Sequence, residues 1–138
     1  MSNFKKSLLA LTTTSVLSVA VLAGCGGSDK PAFCGDVDTL RNSISQLTSV
    51  KIEAGVLDNV KTDLETVQAD AQTAVDSAKT DFPSETSDLE NAINTATQSI
   101  QDLPASPSGA EIAAVALNVS ALANAAKAFE DATSSACN

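Results

Sequence analysis

The chain has 138 residues, seventeen acidic and eight basic, with a net charge of −9 and no His, Trp or Tyr. So acidic a balance argues against binding nucleic acid or anionic head groups by charge. The lack of His removes the commonest zinc ligand and the Glu-x-x-His pairs of di-iron bundles.

The N-terminal segment opens Met1-Ser2-Asn3-Phe4-Lys5-Lys6 and runs as an apolar stretch over residues 8–23 to Leu22-Ala23-Gly24-Cys25. A basic head, an apolar middle and small residues before a cleavage point describe a secretory signal peptide. Thr12, Thr13, Thr14, Ser15 and Ser18 interrupt the stretch. It also falls short of the ~20 apolar residues of a spanning helix. Leu22-Ala23-Gly24-Cys25 resembles the lipobox of bacterial lipoproteins, a resemblance confined to residues 1–25. It implies that the Cys25 thiol takes a diacylglyceryl group and that cleavage just before it starts the mature chain there. The expected location is extracytoplasmic, held to a membrane by the lipid, at the cell surface or on the periplasmic side. An ordinary signal would leave Cys25 as an odd thiol in an exported chain, which lipidation accounts for.

The expected organisation is a signal peptide over 1–24, the lipidated Cys and a flexible tether over 25–33, and a helical domain over 34–138. Removing residues 1–24 leaves six basic against seventeen acidic residues, a net of −11. Beyond Cys25 the aromatics are Phe33, Phe82 and Phe129, and Ala, Val, Leu and Ile carry the apolar content. A core built on Ala buries little area per residue and calls for a staple. Cys34 and Cys137 are the expected disulfide, since two cysteines in one small exported domain usually pair. Their wide separation does not suit a metal or redox pair.

The tether, residues 26–33, is kept flexible by Gly and Ser and kept out of a helix by Pro31. The first helix is expected to start with Asp36 or Asp38 as N-cap, so that Cys34 precedes it. Its inner face is Val37, Leu40, Ile44 and Leu47, and residues 51–56 read as a connection. The second helix carries Leu57, Val60, Leu64, Val67, Ala71, Ala74 and Ala78 at alternating spacings of three and four. Such a seam suits helices packed at a shallow angle. Phe82 extends that face, and Pro83 is expected to stop the helix. The third helix carries Leu89, Ile93, Ala96, Ile100 and Leu103, with Ser87-x-x-Glu90 as a capping box or Ser84 as an earlier cap. Residues 104–109 form a turn. Two starts are open for the fourth helix: Ser106 with Pro107, or Ser108 with Glu111. Its stripe is Ile112, Val115, Val119, Leu122, Ala126, Phe129, Thr133 and Ala136, set among further Ala.

Four helices with short links predict an all-α, up-down-up-down four-helix bundle, with a three-helix bundle and an irregular first segment as runner-up. The first topology brings Cys34 and Cys137 to one end. The paired loops at 51–56 and 104–109 would then lie at the other end.

The chemistry of catalysis is sparse. Ser and Thr abound without a candidate base beside them. Asp58, Asp63, Glu65, Asp70, Asp88 and Glu90 fall on polar faces, where a carboxylate gains no raised pKa. Asp58 to Asp63 lacks the central Gly of a calcium loop. Asn118-Val119-Ser120 fits the glycosylation pattern, but Val119 lies on the apolar stripe. The reading is a non-catalytic, lipid-anchored structural or interaction module of the cell envelope. It needs no cofactor and no metal, and its partners are the membrane, through Cys25, and an envelope protein. The alternative is a carrier of a small apolar ligand held between helices.

Overall fold

The computed structural model describes residues 30–138; Cys25 and the signal segment lie outside the described residues. Four helices follow in order: α1 Phe33–Ser49, α2 Leu57–Ala78, α3 Pro83–Gln101 and α4 Gly109–Cys137. Each helix packs on its neighbours in the chain, and α4 closes the ring against α1. The direction of packing is set by ties between elements. Ser77, near the end of α2, donates from its hydroxyl to Asp36 in the first turn of α1 at 2.8 Å. Cys34 in the first turn of α1 meets Cys137 at the end of α4, with Cα atoms 5.6 Å apart. Both pairs require antiparallel neighbours. The fold is therefore an all-α, up-down-up-down bundle, and the first segment is a full helix packed on its neighbours.

The three-and-four spacing explains which faces are inside. Val37, Leu40, Ile44 and Leu47 of α1 are buried, as are Val60, Leu64, Val67, Ala71, Ala74 and Ala78 of α2. α3 contributes Leu89, Ile93, Ala96 and Ile100, and α4 contributes Val115, Val119, Leu122, Ala126, Phe129 and Thr133. The large, fully buried side chains include Phe129, Leu40, Leu47, Leu89 and Leu122. Phe129 and the Ala71–Ala74–Ala78 series both sit in the half of the bundle near the end of α4.

Several boundaries differ from the sequence expectation. α1 starts at Phe33, ahead of Asp36 and Asp38, so Cys34 lies inside the first helical turn and the tether ends before Phe33. The Phe33 side chain is buried, its ring edge-on to Phe82 at 5.5 Å, and that burial draws the chain into the helix early. Pro31 is no obstacle, because a helix start leaves its first N–H groups unpaired anyway and the Cys34 N–H bonds the Pro31 carbonyl at 3.1 Å.

α2 ends at Ala78, before Phe82 and Pro83, in a turn where the Phe82 N–H bonds the Ala78 carbonyl at 2.9 Å. Pro83 opens α3 instead of stopping α2, and neither Ser84 nor Ser87 caps it. Proline suits a first helical position because its missing donor costs nothing there. Leu103 falls just past the end of α3 and is half-buried against the core.

Of the two starts open for α4, the structure adopts Ser108. Its hydroxyl accepts from the Glu111 N–H at 3.3 Å, and the Glu111 carboxylate accepts from the Ser108 N–H at 2.7 Å. At the other end of α4, Ala136 is exposed. The four-residue step from Thr133 lands on Cys137, which is half-buried against the core and takes the inward position. The connection at 51–56 includes a single 3-10 turn, Ala54–Val56.

Candidate functional site

Three elements meet at one end of the bundle: the start of α1, the turn before α3 and the end of α4. Cys34 and Cys137 stand there with Cα atoms 5.6 Å apart and their sulfurs at bonding distance. Helix geometry brings them together, since α1 and α4 run antiparallel and each Cys occupies a terminal turn facing the other helix. Cys34 is buried and Cys137 half-buried. The chain arrives from its N-terminal side at the same end, where Lys30 and Pro31 border a cleft of about 460 Å³ beside both cysteines. The loops around residues 54–58 and 103–107 border a common cleft at the opposite end.

A second cleft, about 290 Å³, follows the α1–α4 seam. Leu40, Ile44, Ala126 and Phe129 line its apolar side, and Arg41, Lys127 and Glu130 line its polar side. The cations there are locally matched: Arg41 pairs with Glu130 and Lys127 with Asp131, each at 3.3 Å. These pairs are exposed, and pairs of that kind contribute ~1 kcal/mol or less.

The carboxylates noted in the sequence do not converge. Asp58, Glu65, Asp88 and Glu90 are exposed, and Asp63 and Asp70 are half-buried along α2. No group of three His, Cys, Asp or Glu side chains among the described residues is placed to hold a metal ion. Among the described residues two carboxylates titrate away from their ordinary range, both downward. Glu111 is held down by hydrogen bonds from the Ser108 backbone and side chain. Asp76 is held down by a hydrogen bond and the charge of Lys79, with a smaller contribution from Gln72. Both effects belong to helix structure, a cap and an i,i+3 pair.

Hydroxyls are largely spent on the helices that carry them. Ser43 donates to the Leu40 carbonyl, Thr86 to Phe82, Ser120 to Ala116 and Thr133 to Phe129, all at 2.8–3.0 Å. This back-bonding lets Thr86 and Thr133 sit in the core at 3% and 1% exposure, although the sequence pattern marks only Thr133 as facing inward. Two hydroxyls meet a carboxylate instead, Ser77 at Asp36 and Ser108 at Glu111, each at 2.8 Å and on the exposed surface.

α4 departs from the other three helices. It is long and apolar enough, by length and composition, to cross a membrane, yet one of its faces fills the bundle core. The apolar composition continues on its outer face, where Leu117 is 72% exposed. The sequence signal for that face is the absence of any charge over residues 112–126. Periodicity alone hides it, because Ala on an outer face reads as helix propensity.

Compared with known proteins, the chain matches no family model, no curated protein and no solved structure.

Proposed function

We propose that the chain is a non-catalytic, lipid-anchored interaction or spacer module of the cell envelope, attached through Cys25. The observation that carries this reading is the shared end of the bundle. Cys34, Cys137 and the incoming chain at Lys30 and Pro31 lie together there. From Cys25 to Lys30 the backbone reaches at most about 18 Å. A lipid on Cys25 would hold the bridged end close to the bilayer, with the loops around residues 54–58 and 103–107 projecting away. A cysteine pair at bonding distance fits an oxidising, extracytoplasmic compartment. The net charge of −11 on the mature chain keeps the bundle off anionic head groups, so the lipid must supply the attachment.

Intact mass of the membrane-extracted protein tests the anchor. The expected product starts at Cys25 and carries a lipid modification, and Cys25→Ala abolishes lipid labelling and processing. A mature N-terminus at any other residue refutes the reading. The alternative, carriage of a small apolar ligand, is favoured only by the α1–α4 cleft. That cleft lies at the small end of ligand sites, and its apolar walls, Leu40 and Phe129, are at most 2% exposed. An apolar fluorescent probe that saturates at one site per chain and is lost in Ala126→Phe would restore the carrier reading.

A further inference from the structure

The outer face of α4 presents Ala110, Ala114, Leu117, Ala121, Asn124 and Ala128 at spacings of four, three, four, three and four. All but Asn124 are apolar, and all six are exposed. This is a second seam with the spacing of a coiled-coil stripe, on the side of α4 opposite the bundle core. The outer faces of α2 and α3 instead carry Asp58, Glu65, Asp76, Asp88 and Glu90.

We propose that this face pairs with the same face of a second copy of the chain, the two α4 helices running parallel about a two-fold axis. Charge selects the occupant. Two copies that each carry −11 repel one another, and the repulsion is least where neither presents a charge, along residues 112–126 of α4. A basic partner would be drawn to the carboxylates of α2 and α3 and would leave α4 uncovered. A bilayer surface is a poor match, since helices that lie on membranes carry cations along the polar face and several large apolar side chains on the other. Here Leu117 is the one large apolar side chain that stands exposed among the described residues.

Shape favours self-pairing as well. Leu117 stands between Ala114 and Ala121, so small side chains above and below it let two helices approach closely. A two-fold axis presents the same patch on both copies. In the parallel sense every layer meets itself. Leu117 faces Leu117, and the Asn124 amide, both donor and acceptor, faces its own equivalent. A polar residue at one such layer is a known means of setting register. The parallel sense also rests on the anchoring reading, because two copies tethered in one membrane at their bridged ends point the same way. The pairing itself does not depend on the lipid.

The stripe runs about 27 Å along one helix. A single-helix contact buries less than the ~1,200 Å² of stable complexes, so the pair belongs to the weak class. Confinement to a membrane raises its occupancy by raising local concentration.

The test uses the full chain in isolated membranes, with single cysteines placed at Ala110, Leu117 or Ala128 and, on the exposed face of α3, at Asn91. After mild oxidation, Leu117→Cys, Ala110→Cys and Ala128→Cys are expected to form covalent dimers at least fivefold more than Asn91→Cys. Dimer at Leu117→Cys without dimer at the two outer positions shows an antiparallel pair and overturns the proposed sense. Dimer at no α4 position above the Asn91→Cys level overturns the pairing. Sedimentation of the detergent-solubilised chain supplies the second arm. Association should tighten severalfold from 50 to 500 mM NaCl as repulsion is screened. Leu117→Lys should weaken it at least tenfold with an unchanged melting curve. Association that salt weakens, or that Leu117→Lys leaves intact, refutes the face. Lipid on Cys25 is scored separately by mass, so failure of the anchor and failure of the pair are read independently.

Discussion

Opening the Cys34–Cys137 link should cost this bundle about as much as a severe core truncation. The cysteines are 103 residues apart and enclose all four helices. For a loop of about 100 residues, the chain-entropy model assigns about 4.7 kcal/mol to the restriction of the unfolded chain. Measured values fall below that figure where the reduced chain keeps residual structure, so about 3–4 kcal/mol is the working expectation. A domain of this length has a urea dependence of about 1–3 kcal/mol/M. At the middle of that range, the unfolding midpoint falls by about 2 M. The assay is urea unfolding followed by far-ultraviolet circular dichroism, on oxidised protein, reduced protein and Cys34→Ala/Cys137→Ala. Reduced and double-variant proteins should coincide and keep their helix content in buffer, because the cysteines close the ring and do not build the helices. The urea dependence should also rise, since the open chain unfolds to a larger ensemble. A midpoint shift below about 0.5 M would refute the reasoning, as would a double variant insensitive to reductant yet as stable as the oxidised chain.

Phe129→Ala should destabilise by about 3–5 kcal/mol in the same assay, because the ring is fully buried and its removal leaves a cavity in the core. Ser108→Ala should cost about 1 kcal/mol through the lost N-cap of α4. It should also change the acid limb of the stability profile. Glu111 titrates below its ordinary range in the folded chain, so its contribution is complete above the unfolded value of about 4.3 and is lost as pH falls through the lowered one. Ser108→Ala keeps the backbone hydrogen bond to Glu111 and loses the side-chain one, so it should flatten that fall only in part, as seen in melting temperature against pH. Replacing Asp58, Asp63 and Asp70 together by Asn should leave the helical spectrum intact. Any gain in melting temperature at low salt should vanish in 0.5 M NaCl, because only self-repulsion is relieved.

Much of this architecture was legible in the order of residues. The seam Leu57, Val60, Leu64, Val67, Ala71, Ala74, Ala78 needs only the 3.6-residue period to be assigned to one helical face, and all of it is buried except Leu57, which is half-buried at the start of α2. The topology followed from short links, and the approach of Cys34 to Cys137 followed from the topology.

What failed to follow is instructive by position. Asp36 and Asp38 are good caps, yet α1 begins at Phe33, because the contact between Phe33 and Phe82 spans 49 residues of chain and no local rule sees it. Ser84 and Ser87 are good caps, yet Pro83 begins α3, because the chain must turn within the four residues after Ala78 to lay α3 against α2. Val75 lies off the α2 seam but is 3% exposed. A helix between two neighbours buries a face wider than one stripe. Local periodicity and capping chemistry thus determined which residues are helical and which face turns inward, because those depend on neighbours three and four apart. Only the tertiary structure decided where the helices start, how wide each buried face is, and that the outward Ala and Leu117 of α4 are left uncovered, because these depend on which distant segment arrives alongside.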